Sequence, residues 1–152
     1  MQLLKIFVTC TALSLLGNLA ASNDLTITDA YAISSGKMAK SGAAFLLIEN
    51  TSNTDDRLIE VTSEVAKKVE FHTHIKDEKG VMKMRRVEQG FIIPAQGQHE
   101  LKRGGDHIMF MGLTSVWSDG DILEVILRFE KAGDLKLSIP VDQRREGVKH
   151  KH

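Results

Sequence analysis

The chain has one cysteine, Cys10, and it lies in the N-terminal apolar segment, so the remainder of the sequence has no thiol. Without thiols, this remainder cannot form a disulfide scaffold, a Cys-based zinc site or a thiol enzyme. It also cannot form a blue-copper centre, which requires a thiolate ligand. A site for a soft metal ion must therefore take its sulfur from methionine, of which the chain has six.

The chain also lacks a second long apolar run. The first one, residues 6–16, is too short to span a bilayer; it follows Lys5 and precedes small residues up to Ala21. This arrangement predicts a secretory signal peptide over residues 1–21 and places the protein in the periplasm. Cys10 lies inside the apolar run rather than after it, which is not the pattern of a lipid-attachment site. Elsewhere no segment predicts a membrane span.

An excess of charge of one sign is missing as well. When Lys5 is removed with the predicted signal peptide, 19 basic and 20 acidic residues remain. This balance gives no reason to expect a nucleic-acid partner.

Short apolar and β-branched segments separated by turn formers predict one all-β domain over residues 22–142, a sandwich or barrel. The predicted strands cover residues 25–33, 43–49, 58–63, 68–75, 81–88, 91–93, 99–102, 107–113, 122–129 and 134–139. Residues 62–68 have a pattern that also fits one short helix. Residues 143–152 contain one apolar residue and predict a flexible tail that carries His150 and His152.

Histidine and methionine alternate in the predicted strand 107–113. Alternate side chains of a strand share one face, so His107, Met109 and Met111 would point together while Ile108 and Phe110 point the other way. An imidazole and two thioethers on one face form a ligand set that selects a soft metal, above all Cu(I).

Two upstream segments repeat this pattern. His72 and His74 share one face of the strand 68–75, and Met82 and Met84 share one face of the next strand, across the turn 76–80. Imidazole is mostly neutral at pH 7 and thioethers do not titrate, so metal binding by this set would weaken only below about pH 6.

These residues bear a specific resemblance to a known family. Eleven residues separate His72 from Met84, and twenty-two separate Met84 from the pair formed by His107 and Met109. This order resembles the His, Met and His-x-Met motif of the periplasmic copper chaperones of the PCuAC type. The similarity covers nearly the whole chain after the signal peptide and includes Gly80-Val81-Met82-Lys83-Met84, Met111-Gly112-Leu113 and Phe129-Glu130-Lys131-Ala132-Gly133.

The resemblance implies a cupredoxin-like Greek-key β-sandwich that binds Cu(I) through His72, Met84, His107 and Met109. It also implies delivery of copper to a periplasmic or membrane-anchored acceptor, such as a cytochrome oxidase subunit or assembly factor. Many family members have a methionine near the first histidine, whereas His74 stands nearby here and is an additional candidate ligand.

Further candidates are weaker when taken singly. Met111 and Met38 are more typical of packing and of an exposed loop, respectively, than of metal ligation. His150 and His152 form a His-x-His tail whose imidazoles would suit Cu(II) or Zn(II), although a tail without a role fits equally well.

Three classes of function remain open at this stage. The first is a non-enzymatic metallochaperone that holds Cu(I) and passes it on by ligand exchange. The second is a copper redox or electron-transfer protein, against which the missing thiolate argues. The third is a metal-free interaction module of the cell envelope, for which the fold alone would suffice.

Overall fold

Alternation of buried and exposed side chains is clearest in one strand of this protein. In the computed structural model, which describes residues 24–145, every second residue of Ile122–Phe129 is buried. The ten strands of the described region are β1 Leu25–Ser34, β2 Ser41–Asn50, β3 Asp56–Thr62, β4 Ala66–Lys76, β5 Met82–Arg86, β6 Phe91–Ile93, β7 Gly97–Leu101, β8 His107–Leu113, β9 Ile122–Phe129 and β10 Gly133–Pro140. Each predicted strand corresponds to one of them.

The strands form two antiparallel sheets. The first sheet has the order β1-β2-β8-β4-β5, with β7 also paired to β2, and the second has the order β10-β9-β3-β6. The predicted all-β sandwich is therefore confirmed. The helix considered for residues 62–68 is wrong, because β3 runs to Thr62 and β4 begins at Ala66. Pairing with neighbouring strands outweighs the weak local pattern of this short segment.

The core lies between the sheets and takes alternate residues from their inner faces. Ile108 and Phe110 of β8 are fully buried there, and the ring of Phe110 packs edge-on against Trp117 with centroids 5.3 Å apart. Leu127 and Phe129 of β9 approach from the other sheet, and both are almost completely buried. Since the even positions of β8 form the core, its odd positions are left for the opposite face.

The described chain ends on the first sheet. The side chain of Gln143 contacts Ser34 and Trp117, and Arg145 lies over the Tyr31 ring, 4.3 Å from its centroid, while pairing with Asp29. The predicted signal peptide and the histidines at positions 150 and 152 lie outside the described residues. Between residues 24 and 145 no helix is long and apolar enough to cross a membrane.

Candidate metal centre

Strand register brings the predicted ligands to one face of the first sheet. His72 of β4 lies directly opposite His107 of β8, and His74 lies opposite Met84 of β5. Met109 follows two residues after His107, so it shares the face of these partners. This face is the outer one, because the alternate residues of β8 are buried in the core. Three adjacent strands thus present imidazoles and thioethers together.

A pocket of about 320 Å³ opens on this face. Four of its lining residues carry candidate ligand atoms for a metal ion: His74, His107, Met84 and Met109. The rings of His74 and His107 are stacked, with centroids 5.1 Å apart. The pocket wall is otherwise mainly apolar, with Phe45 behind His107 at a centroid distance of 6.2 Å.

His72 lies beside this pocket rather than in its lining. Its ring centroid is 6.0 Å from that of His107, and its Nε2 atom is 2.9 Å from Oε2 of Glu70. The hydrogen bond with His72 is the main reason why the pKa of Glu70 lies below its usual value, and Lys68 and Arg86 act in the same direction. Glu70 is therefore an ionised carboxylate at neutral pH.

His107 is held by the turn that precedes β8. Its Nδ1 atom donates a hydrogen bond of 2.9 Å to the carbonyl oxygen of Gly105. The turn itself is closed by a backbone bond of 2.8 Å from the Lys102 nitrogen to the Asp106 oxygen, and the Asp106 carboxylate pairs with His99. Burial lowers the pKa of His107 below the 6.5 usual for histidine, and the nearby rings of His74 and His72 lower it further. The ring is therefore neutral at pH 7.

The other methionines among the described residues lie outside the pocket lining. Met111 is on the same face of β8 but opposite Ser41 and Lys68, outside the pocket lining. Met82 lies at the start of β5 and is exposed, and Met38 is 82% exposed in the loop between β1 and β2. Within the described chain, no three His, Cys, Asp or Glu side chains are grouped so that they could hold a metal ion.

Sequence reasoning missed two features of this site. Glu70 precedes His72 by two residues, so strand alternation alone would have placed it on the ligand face. Arg103 and Gly104 line the pocket from the turn before β8. Their position depends on how the turn folds over the sheet, and no local pattern indicates it.

A curated protein is similar in sequence to part of this chain. Protein RP573 of Rickettsia prowazekii (strain Madrid E), whose function is uncharacterized, is 32% identical over 95 residues, which is 62% of this chain and 51% of that protein. The chain thus spans about half the length of this curated relative.

Solved structures of PCuAC domains share the architecture. The copper-bound PCuAC domain from PmoF2 superposes with a TM-score of 0.64 at 21% identity, covering 78% of this chain and 92% of that domain. The Cu(I) form of DR1885 from Deinococcus radiodurans has a TM-score of 0.62 at 25% identity, covering 84% and 85% of the two chains. The predicted resemblance to the PCuAC-type family is thereby confirmed.

The sequence profile of a protein family also matches this chain. It matches residues 25–141, which include all ten strands of the described region. A match of this extent covers the whole sandwich, including β4 and β8, the strands that carry the histidines of the ligand face. The chain belongs to the LpqE-like family.

Proposed function

We propose that this protein is a periplasmic copper chaperone that holds Cu(I) on the outer face of its first sheet and passes it to a partner. The observation that carries the proposal is the convergence of His74, His107, Met84 and Met109 around one pocket, with His72 opposite His107 beside it. Cu(I) has no strong geometric preference, and neutral imidazole and thioether both suit its softness. The donor set therefore fits this ion.

The ligands of the proposal are His72, Met84, His107 and Met109, and His74 is an additional donor in the pocket wall. The pocket lining itself offers two imidazoles and two thioethers. Such a set favours Cu(I) over Zn(II), since zinc sites in proteins use thiolate, imidazole and carboxylate ligands.

The exposure of the donors suits release as well as binding. His107 is only 2% exposed, whereas Met84 is 45% exposed on the edge strand β5. A partner can therefore approach the metal from the Met84 side and replace this ligand first, while His107 still holds the ion. This asymmetry supports stepwise transfer by ligand exchange rather than permanent retention of copper.

The comparisons support the same function. The PmoF2 domain is a copper-bound structure and DR1885 has been solved with Cu(I), so two proteins of this architecture bind copper. The recipient that we propose is a copper-accepting periplasmic or membrane-anchored protein, such as a subunit or assembly factor of cytochrome oxidase. We propose no catalytic step for the chain itself.

Sulfur, rather than side-chain volume, should determine Cu(I) binding. We expect Met109→Leu, which keeps the size of the side chain but removes its sulfur, to weaken Cu(I) binding by roughly tenfold or more. The measurement is an anaerobic Cu(I) titration of the protein against a chromophoric competitor. Met111→Leu is the matched control, because Met111 shares the face but lies outside the pocket.

One tight equivalent of Cu(I) that only Met109→Leu weakens would support the chaperone. Equal binding by both variants would refute the proposed ligand set. No binding by the unaltered protein would favour the metal-free interaction module instead. A strong visible absorption band after oxidation to Cu(II) would favour a redox protein.

The proposed site should lose copper only in acid. A proton competes with Cu(I) for an imidazole only below the pKa of that imidazole, and burial lowers the pKa of His107. We therefore expect the dissociation constant to change less than about threefold between pH 8 and 7 and to rise below about pH 6. Competitor titrations at each pH test this. A tenfold weakening between pH 8 and 7 would contradict it.

A further inference from the structure

Glu70 is a buried carboxylate at the centre of a small charged cluster on the ligand face. Its side chain is only 8% exposed. Lys68 Nζ lies 2.8 Å and Arg86 Nη1 3.2 Å from its Oε1 atom, and Nε2 of His72 lies 2.9 Å from its Oε2 atom. The carboxylate thus forms ion pairs with two cations through one oxygen and contacts His72 through the other.

The partner of His72 defines which ring nitrogen carries the proton. An ionised carboxylate can only accept hydrogen bonds, so Nε2 of His72 must donate. In a neutral ring the other nitrogen, Nδ1, then has a free lone pair. This Nδ1 atom is buried and has no hydrogen-bond partner among the described residues. Burying a hydrogen-bond acceptor without a partner costs free energy, and such groups are rare in folded proteins.

His107 is held in the opposite way. Its Nδ1 atom donates to the carbonyl oxygen of Gly105, so the lone pair of the neutral ring is on Nε2. His72 and His107 are directly opposite each other in the register of β4 and β8. In each neutral ring, one nitrogen thus donates a hydrogen bond to the protein and the other keeps a lone pair that can bind a metal ion.

We propose that Glu70 is a positioning residue that holds His72 as its Nε2–H tautomer, so that the metal ion is bound by Nδ1 of His72 and by Nε2 of His107. The proposal rests on the copper function proposed above, which it deepens. Histidines that bind metals commonly donate their other ring N–H to a carboxylate or carbonyl, which fixes both the tautomer and the ring orientation. Here the partner of His72 is a carboxylate and the partner of His107 is a backbone carbonyl.

Arg86 extends this cluster to the edge strand. It lies opposite His72 in the register of β4 and β5, two residues after Met84. Its ion pair with Glu70 therefore links the strand that carries a thioether to the strand that carries the histidine. The carboxylate of Glu70 thus contacts the proposed ligand His72 and also forms an ion pair with β5, the strand that carries Met84.

The tautomers can be measured directly and without copper. Long-range ¹H–¹⁵N NMR spectra of the ¹⁵N-labelled, metal-free protein at pH 7.5 separate Nε2–H from Nδ1–H rings. We expect His72 as the Nε2–H form and His107 as the Nδ1–H form. In Glu70→Ala we expect His72 to become a mixture of both forms while His107 stays unchanged. Glu88→Ala, which removes an exposed carboxylate, is the matched control and should change neither ring.

The conservative variant Glu70→Gln keeps an oxygen that can accept from Nε2–H, so it should preserve the tautomer of His72. In the competitor titration, Glu70→Ala should weaken Cu(I) binding by about 10–100-fold, and Glu70→Gln should weaken it less. An Nδ1–H ring at His72 in the unaltered protein would overturn the proposal. So would a His72 tautomer that Glu70→Ala leaves unchanged.

The two proposals fail in different ways. If the tautomers are as expected but the unaltered protein binds no Cu(I), the chaperone function is wrong and with it the assignment of the donor atoms. If Cu(I) binds tightly but His72 is not the Nε2–H form, the function stands and the role of Glu70 is wrong.

Discussion

Replacing His107 with alanine should lower the Cu(I) affinity of the protein by roughly 100-fold or more, which exceeds the typical effect of removing a residue that only supports a ligand. His107 is the most buried of the proposed donors and lies between the β4 histidines and Met109. Its ring is neutral and held by Gly105, so it is ready to bind without losing a proton.

The same anaerobic competitor titration measures this effect, and His99→Ala is its control. His99 is the described histidine that does not belong to the ligand face; it pairs with Asp106 and stacks on Phe91. Its removal leaves all proposed donors in place and removes only the ion pair with Asp106 in the turn before β8. Its effect on affinity should therefore stay below about tenfold, the lower end of the effects of removing a residue that supports a ligand. If both variants bind Cu(I) equally well, His107 is not a ligand.

The fold follows closely from patterns within single strands. Alternation in the strand 107–113 places Ile108 and Phe110 on the opposite face from His107, and in the structure both are fully buried. The bounds of β8 and β9 agree with the predicted strands residue for residue. Such agreement is expected where one face of a strand is buried, because a shift of one residue would expose the whole apolar set.

The composition of the site depends on contacts between strands that are far apart in the chain. His72 and His107 meet only because β4 pairs with β8, across an intervening stretch that holds three other strands. The motif names both residues but does not indicate that His74, rather than His72, lines the pocket. Register between distant strands is a property of the assembled sheet, and no local pattern of residues contains it.

The two faces of β8 should respond separately to mutation. Odd-numbered residues of this strand carry the proposed metal donors, and even-numbered residues carry the core. Loss of a donor such as Met109 should therefore affect copper more than folding, and loss of a core residue should affect folding more than copper. One face of β8 thus serves copper binding and the other serves folding. Measurements of stability alone test the second role.

Phe110→Ala should lower the free energy of unfolding by about 3–5 kcal/mol, the range measured for buried aromatic side chains that are cut back to alanine. Phe110 is fully buried and packs against Trp117, so its removal leaves a cavity that the surrounding side chains fill only in part. Equilibrium urea unfolding of the metal-free protein measures the change. Ile126→Ala, at a position that is 36% exposed on the other sheet, is the control and should lose far less.

Copper then distinguishes a weakened fold from a damaged site. Since a ligand that binds only the folded state stabilises it, Cu(I) at about 1,000 times its dissociation constant should restore roughly 4 kcal/mol to Phe110→Ala. The affinity of the folded variant should stay close to that of the unaltered protein, because Phe110 points away from the pocket. A loss below about 1 kcal/mol in the metal-free protein, or a copper affinity that falls as far as in His107→Ala, would contradict the separation of the two faces of β8.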